Sequence, residues 1–408
     1  MERPKLRPVE VFPLEVSGKR LLCLRDPLRY GQDVVISPVL AEIIRYFDGT
    51  RTVREIQYQL MSATGELIYG EVIEKIVQEL DLHLLLDSEH FGKVRNSIEA
   101  EFVATSIRRA AHAGLSYPAD ATQLETQLQS FFLAAEGAGL PTNNGHKPRV
   151  RGIIAPHIDL RCAGPCYTWA YRELVEGAAD CETIVILGTS HYGFGKLFIV
   201  TEKDFETPLG RLQCDREFIA TLQTQLNGSL KNEEGAHRLE HSIEFQVIFL
   251  QTLFKNRKLP KIVPILVTSF QPLIETVERP HEYQEFTDFV TALRRTIAQW
   301  PYPVSFVVGA DLAHVGRKFG DRFAAQPQLA RIEEADREML NYVEAHDVDG
   351  FFQSIKAVND NRRICGFPPI LTFLATIDGL QGRLLKYEQW SETATESAVT
   401  YASMAFYE

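Results

Sequence analysis

Apolar and polar positions change rhythm near residue 150 of this chain. Before that point the apolar residues first alternate in short runs and then recur at helical spacing. VEVFPLEV and RLLCLRD read as two strands around a turn at Gly18. SPVLAEIIRYFDG reads as a helix with Ser37 as N-cap, Pro38 in the first turn and Gly49 closing it. TVREIQYQLMSATG puts Val53, Ile56 and Leu60 on one helical face, and YGEVIEKIVQELDLHLLLD gives a third helix with a strand-like tail. Residues 92–136 read mostly as helix, interrupted at Pro118, and the Gly/Pro-rich stretch 136–149 as a loop.

From residue 150 short, continuous apolar runs alternate with amphipathic stretches. VRGIIA, TIVILG, KLFIV, KIVPILV and VSFVVGAD read as strands, separated by helical segments such as REFIATLQTQL, EHSIEFQVIFLQTLFK and EYQEFTDFVTALRRTIAQW. Strands without polar alternation are buried on both faces. The pattern therefore predicts an α/β fold: an open, mainly parallel sheet with helices on both faces, preceded by a small winged-helix-like domain. The expected divisions are 1–95, a helical linker at 96–149, and 150–408. GRLLKYEQW and AVTYASMAFYE supply late strands.

Composition narrows the function. The net charge of −11 argues against a broad basic face for nucleic acid. No run approaches the roughly 20 apolar residues of a membrane span. The N-terminus has prolines and mixed charge where a signal peptide has an apolar core, so a cytoplasmic location is expected. The six cysteines are thinly spread and read as free thiols unless one binds metal. No GxGxxG follows a strand and no GxxxxGK[ST] occurs, which argues against the common nucleotide sites.

Candidate chemistry lies at strand ends. His157 follows VRGIIA, His191 follows TIVILG and His314 follows VSFVVGAD. In open α/β sheets ligands bind beyond the carboxyl ends of the strands. Three strands each delivering a histidine to that edge point to one site. Cys365 sits in RRICGFPP, a turn entering a helix, where a thiol is activated or binds metal. Asp311, three residues before His314, can fix an imidazole tautomer or cap a helix. In EHSIEFQ, His241 and Glu244 share a helix face and are expected to line the site behind its ligands. Cys162 and Cys166 have no second Cys/His pair nearby to complete a structural zinc site.

These residues carry two resemblances. FDGTRTVREI with EVIEKIVQELDLHLLL is similar to PqqD-like peptide-recognition domains, which implies a peptide partner at the N-terminal domain. APH at 155–157, ILGTSH at 186–191, EHSIEFQ, VVGADLAHVG and ICGFPPI occur in the order of the Memo family, and RRAAHAGLSYPADATQLETQL resembles that family's N-terminal segment. The resemblance covers residues 105–408. It implies a sheet similar to class III extradiol dioxygenases with a mononuclear metal ion at its carboxyl edge, iron(II) first and copper or zinc next. His157, His191 and Cys365 match the metal ligands; Asp311 and His314 match pocket residues, with His314 as acid/base. The bacterial label AmmeMemoRadiSam protein B implies association with a radical-SAM protein and a small accessory protein.

Two departures temper the reaction expected. Ile158-Asp159 stands where the family has a small Ala-Gly pair, so Asp159 adds a carboxylate near the first histidine. A thiolate replaces the carboxylate ligand of the dioxygenases, which favours softer metals and makes the ligand oxidisable. A metal-dependent redox or metal-assisted enzyme is the leading expectation. The alternative is a non-catalytic metal- and peptide-binding accessory protein for a radical-SAM partner. Hydrolysis by Cys365 with His314 ranks third.

Overall fold

The computed structural model describes residues 1–65, 68–142, 148–178, 180–193, 195–226, 230 and 233–408. Part of the loop expected at 136–149, residues 143–147, lies outside the described residues. The chain forms two compact units, 1–104 and 105–408.

In the first unit β1 (Glu10–Val16), β2 (Lys19–Arg25) and β3 (Val34–Ile36) make an antiparallel sheet. Helices α1 (Pro38–Ile44), α2 (Val53–Thr64), α3 (Gly70–Leu82) and α4 (Glu89–Ala104) follow. Local signals start the first two, and α1 stops at Ile44, short of the expected Gly49. Ser37 Oγ accepts the Leu40 N–H ahead of Pro38, and Thr52 and Glu55 form a reciprocal capping box. Gly65 ends α2 with φ 72°. Ile43, Ile56, Leu60, Ile73, Val77 and Leu80 meet in the core of this unit.

The second unit opens with β4 (Ile107–Arg108), α5 (Ala121–Leu133), β5 (Val150–Ala155), α6 (Leu160–Gly177), β6 (Thr183–Thr189) and β7 (Phe198–Val200). Next come β8 (Asp204–Thr207), β9 (Gly210–Leu212), α7 (Arg216–Thr224), α8 (His241–Phe254), β10 (Lys261–Val267), α9 (Gln271–Thr276) and α10 (Gln284–Gln299). The last third holds β11 (Val304–Gly309), β12 (Asp311–Gly316), α11 (Leu329–Glu344), α12 (Val348–Lys356), α13 (Phe367–Thr376), β13 (Gln381–Glu392) and β14 (Ser397–Tyr407).

The large sheet runs β12-β14-β5-β11-β6-β10-β7, with β13 also on β14. Its centre, β5, β11, β6 and β10, is parallel. The flanks are antiparallel, so the sheet is mixed rather than mainly parallel. The late hairpin β13–β14 inserts against β5 and accounts for much of the difference. β6 shows why its sequence reads as a continuous apolar run: Val185 and Leu187 enter the core on one face, Ile184 and Ile186 the core on the other. Helices α5, α6 and α8 cover one face and α10 to α13 the other.

Two segments differ from the pattern-based expectation in ways that shape the site. The helix expected over 92–136 with a break at Pro118 ends earlier, at Ala104, and resumes as α5; residues 105–120 between them run irregularly, with β4 pairing to β8 and an isolated bridge between Ala113 and Tyr117. Their backbone is claimed elsewhere: the buried Glu244 carboxylate accepts the N–H groups of Ala111 and His112. The other is β12, which DLAHVG does not announce because its register breaks between Asp311 and His314. β14 pairs with β12 along Ser397–Tyr401 and with β5 along Met404–Tyr407. β12 thus occupies the lane just beyond the end of β5. Among the described residues no helix is long and apolar enough to cross a membrane.

Candidate metal centre

The carboxyl ends of β5, β6 and β11 lie side by side, and the N-termini of α8 and α13 close on them. Close packing is written into the glycines. A Cβ on Gly188 would meet Ser242 Oγ at 2.6 Å, and one on Gly309 would meet the Ser242 carbonyl oxygen at 2.5 Å, so α8 rests directly on β6 and β11. A Cβ on Gly366 would meet the Asp311 carbonyl oxygen at 2.4 Å. This glycine lets the Cys365 turn dock against the start of β12.

His157, two residues past β5, is buried. Its Nδ1 donates to the Gly309 carbonyl at 2.9 Å and its main-chain N–H to Asp311 Oδ1 at 2.9 Å. With Nδ1 carrying the proton, Nε2 presents a lone pair, and it stands 3.3 Å from Cys365 Sγ and 3.5 Å from Asp311 Oδ2. Burial, then the Asp311 carboxylate, push the Cys365 thiol well above its usual range, so it stays protonated and its S–H can hydrogen-bond to His157 Nε2.

His191 is the most exposed member and opens the group to solvent. Its Nδ1 lies 3.0 and 3.1 Å from the two oxygens of Glu240, which also accepts its main-chain N–H at 2.8 Å. Glu240 is the buried N-cap of α8 and accepts the N–H groups of His241 and Ser242. Burial alone raises a carboxylate's pKa. Here His191 and the converging N–H groups outweigh it and hold Glu240 far below the usual range. Conversely, burial disfavours protonated His191, but Glu240 prevails and raises it. A carboxylate that takes the proton-bearing nitrogen and leaves the other for metal is the common outer partner of a ligating histidine.

His241 was expected behind the ligands. Its ring stacks on His191 with centroids 4.9 Å apart and meets His157 edge-on at 5.5 Å. Burial, followed by its neighbours His191 and His157, lowers its pKa well below the usual value despite Glu240, keeping it neutral. Ligand atoms of His157, His191 and His241 lie within 4.8 Å of one another, as do those of His157, Asp311 and Cys365. The two groups share His157.

The remaining expected residues fall into different places. Asp311 holds the His157 backbone rather than the ring of His314, whose Nδ1 instead donates to the Leu312 carbonyl at 3.1 Å. His314 is within β12 rather than past the end of β11, and belongs to neither ligand group. Burial lowers its pKa, which leaves a neutral imidazole with its free lone pair on Nε2. Glu244 faces away from the cluster, ion-paired with the buried Arg108 and accepting the Tyr117 hydroxyl. Asp159 caps α6 and pairs with Arg161. Glu240 is a site residue that the sequence pattern does not announce. Its signal was an acidic residue at the N-cap before His241, but that position does not reveal its partner 49 residues away.

Glu240→Gln is expected to weaken metal binding about 10- to 100-fold, because the amide can no longer hold the His191 ring, and the His241 ring 3.3 Å away, as a charged acceptor. Competition with a chromophoric chelator measures it, and unchanged affinity would remove Glu240 from the centre.

A family model described as Memo-like protein matches residues 108–405. A MEMO1 family protein of Aquifex aeolicus is 32% identical over 408 residues, covering 99% of this chain and 100% of its own. MEMO1 family proteins of Methanopyrus kandleri and Pyrococcus furiosus are 26% and 29% identical over 306 and 308 residues. Each alignment takes in 73% of this chain and 98% of the relative. About a quarter of the chain, the size of the first unit, lies outside those two alignments. With the family model spanning most of its length and a relative similar from end to end, the chain belongs to the Memo family.

Proposed function

We propose that this protein is a mononuclear metal enzyme, with iron(II) held by His157, His191 and Cys365, that performs a redox or metal-assisted reaction. The observation that supports it is the approach of His157 Nε2 to Cys365 Sγ at 3.3 Å, inside a cluster whose other nitrogens are turned inward by Gly309 and Glu240. Two imidazoles and one thiolate suit iron, copper or zinc over calcium or magnesium. Asp311 joins His157 and Cys365 in one group of ligand atoms and His241 joins His157 and His191 in the other, so the proposed set draws on both. When bound, the ion supplies Lewis acidity and, for iron or copper, one-electron chemistry. The chain's own part is positional. Glu240 keeps the proton on His191 Nδ1, Gly309 keeps it on His157 Nδ1, and His314 Nε2 is free to accept one from a bound molecule.

Metal analysis of protein produced in iron-supplemented medium tests the assignment. The wild type is expected to carry about one ion per chain and Cys365→Ala markedly less. Equal content in both would remove Cys365 from the ligands.

A second reading has its own support. The first unit is a separate compact body, and the archaeal relatives align without a stretch of that size. In this reading it is a winged-helix, PqqD-like module that binds a peptide and offers it to a radical-SAM partner with a small accessory protein. The metal domain is then an accessory rather than an oxidoreductase related to the dioxygenases. Deleting residues 1–104 is expected to abolish capture of that partner, and undiminished capture would count against it.

A further inference from the structure

The second unit has a cleft of about 750 Å³ between α11, α12 and the loop after β12. That volume suits an elongated small molecule. Ile332, Ala335 and Met339 recur at three- and four-residue steps along α11 and form one apolar wall. Phe323 and Val358, also lining it, are large apolar side chains left 42% and 43% exposed. Open apolar groups beside a concave apolar wall mark a binding surface.

The lining also carries charge. Arg331 and Glu338 both line the cleft and are both exposed. They are seven residues apart on α11, two turns or about 10 Å along the axis. Among the described residues neither has an ion-pair partner. The other lining charges are taken: Arg362 pairs with Asp336, and Asp321 with Arg363. An isolated cation and an isolated anion, separated by an apolar floor, complement a ligand with the opposite order of charge.

We propose that this cleft binds an elongated zwitterion with an apolar body, its carboxylate on Arg331 and its ammonium against Glu338. A free peptide of three or four residues, about 10–14 Å long when extended, is the simplest member of that class. The site adjoins the metal centre through one loop. Arg362 lines the cleft, its carbonyl accepts the His314 N–H at 2.8 Å, and Cys365 follows three residues later. Asn359, Asp360 and Arg363 hold this loop in the left-handed region, with φ of 49°, 43° and 54°. Such residues store strain and cluster at sites that respond to ligands. An occupant of the cleft bears on the backbone that presents both His314 and Cys365.

Trileucine titrated calorimetrically into the full chain at low ionic strength tests the proposal. Saturable binding is expected, weakened about tenfold when the peptide is acetylated and amidated, as two lost ion pairs predict. Arg331→Ala is expected to erase the preference for the free carboxylate and Glu338→Ala that for the free amine. Both side chains are exposed, so neither change threatens the fold. Cys365→Ala is expected to bind trileucine like the wild type. Three results would each overturn the proposal: no saturation up to about 10 mM peptide, equal affinity for the blocked peptide, or loss of binding in Cys365→Ala, which would place the peptide at the metal centre instead.

Discussion

Arg108→Met is expected to destabilise the second unit by about 3–5 kcal/mol, the usual effect of removing one partner of a buried ion pair. Arg108 and Glu244 are both fully buried. The guanidinium also donates to the carbonyls of His237, Arg109 and Glu240, tying residues 105–120 to the entry of α8. Without it, Glu244 is left with the N–H groups of Ala111 and His112 and the Tyr117 hydroxyl among the described residues. The midpoint of thermal unfolding is expected to fall by roughly 5–10 °C. Replacing both residues together, Arg108→Met with Glu244→Gln, is expected to recover part of the loss, because the stranded charge is gone. The effect also has a pH signature. Burial works against ionised Glu244, but Arg108 outweighs it and lowers the folded-state pKa. A lowered carboxylate contributes stability above its unfolded pKa of about 4.3, and this is lost as pH falls through the folded value. The gap between wild type and variant is therefore full at neutral pH and narrows below about pH 4. Chemical denaturation at both pH values measures it, and a gap constant with pH would show that the charge pair is not its source.

His157→Ala is expected to abolish stoichiometric metal binding, with a larger loss of affinity than the 10- to 100-fold assigned to the outer partner Glu240. The reason is its place in the cluster: it is the one residue common to both ligand groups. Removing any other member breaks one group and weakens binding, whereas removing His157 breaks both. His314→Ala is the matching control. Its ring is in neither group, so metal content is expected to stay near the wild-type level while any proton-transfer step suffers. Metal that binds the folded state alone stabilises it by about 2.7 kcal/mol at a hundredfold excess over Kd. The rise in melting temperature on adding iron(II) under anaerobic conditions is expected in the wild type and in His314→Ala, and absent in His157→Ala. A full metal complement in His157→Ala would sink the assignment of the centre.

Much of the fold was legible without tertiary information. Ser37 and Pro38 act through contacts within one helical turn, and the pattern alone locates them. The apolar runs of β5, β6, β10 and β11 declare strands buried on both faces. The same strands bring His157 and His191 to one edge, because a parallel sheet aligns the ends of all its strands. Other features depended on pairings far apart in the chain. Cys365 reaches His157 across 208 residues, His157 reaches Asp311 across 154, and Arg108 reaches Glu244 across 136. Periodicity reports which face a residue shares with its neighbours, not which distant backbone will lie opposite it. This is why Asp311, three residues from His314 in sequence, holds His157 instead. It is also why His241 entered the ligand cluster and Glu240 appeared as its clamp. The sequence by itself determined most of the elements and the residue types at the sheet edge. The packing of α8 onto Gly188 and Gly309, and of the Cys365 turn onto β12 through Gly366, decided which of those residues touch, since only close approach of separate segments sets distances of about 3 Å.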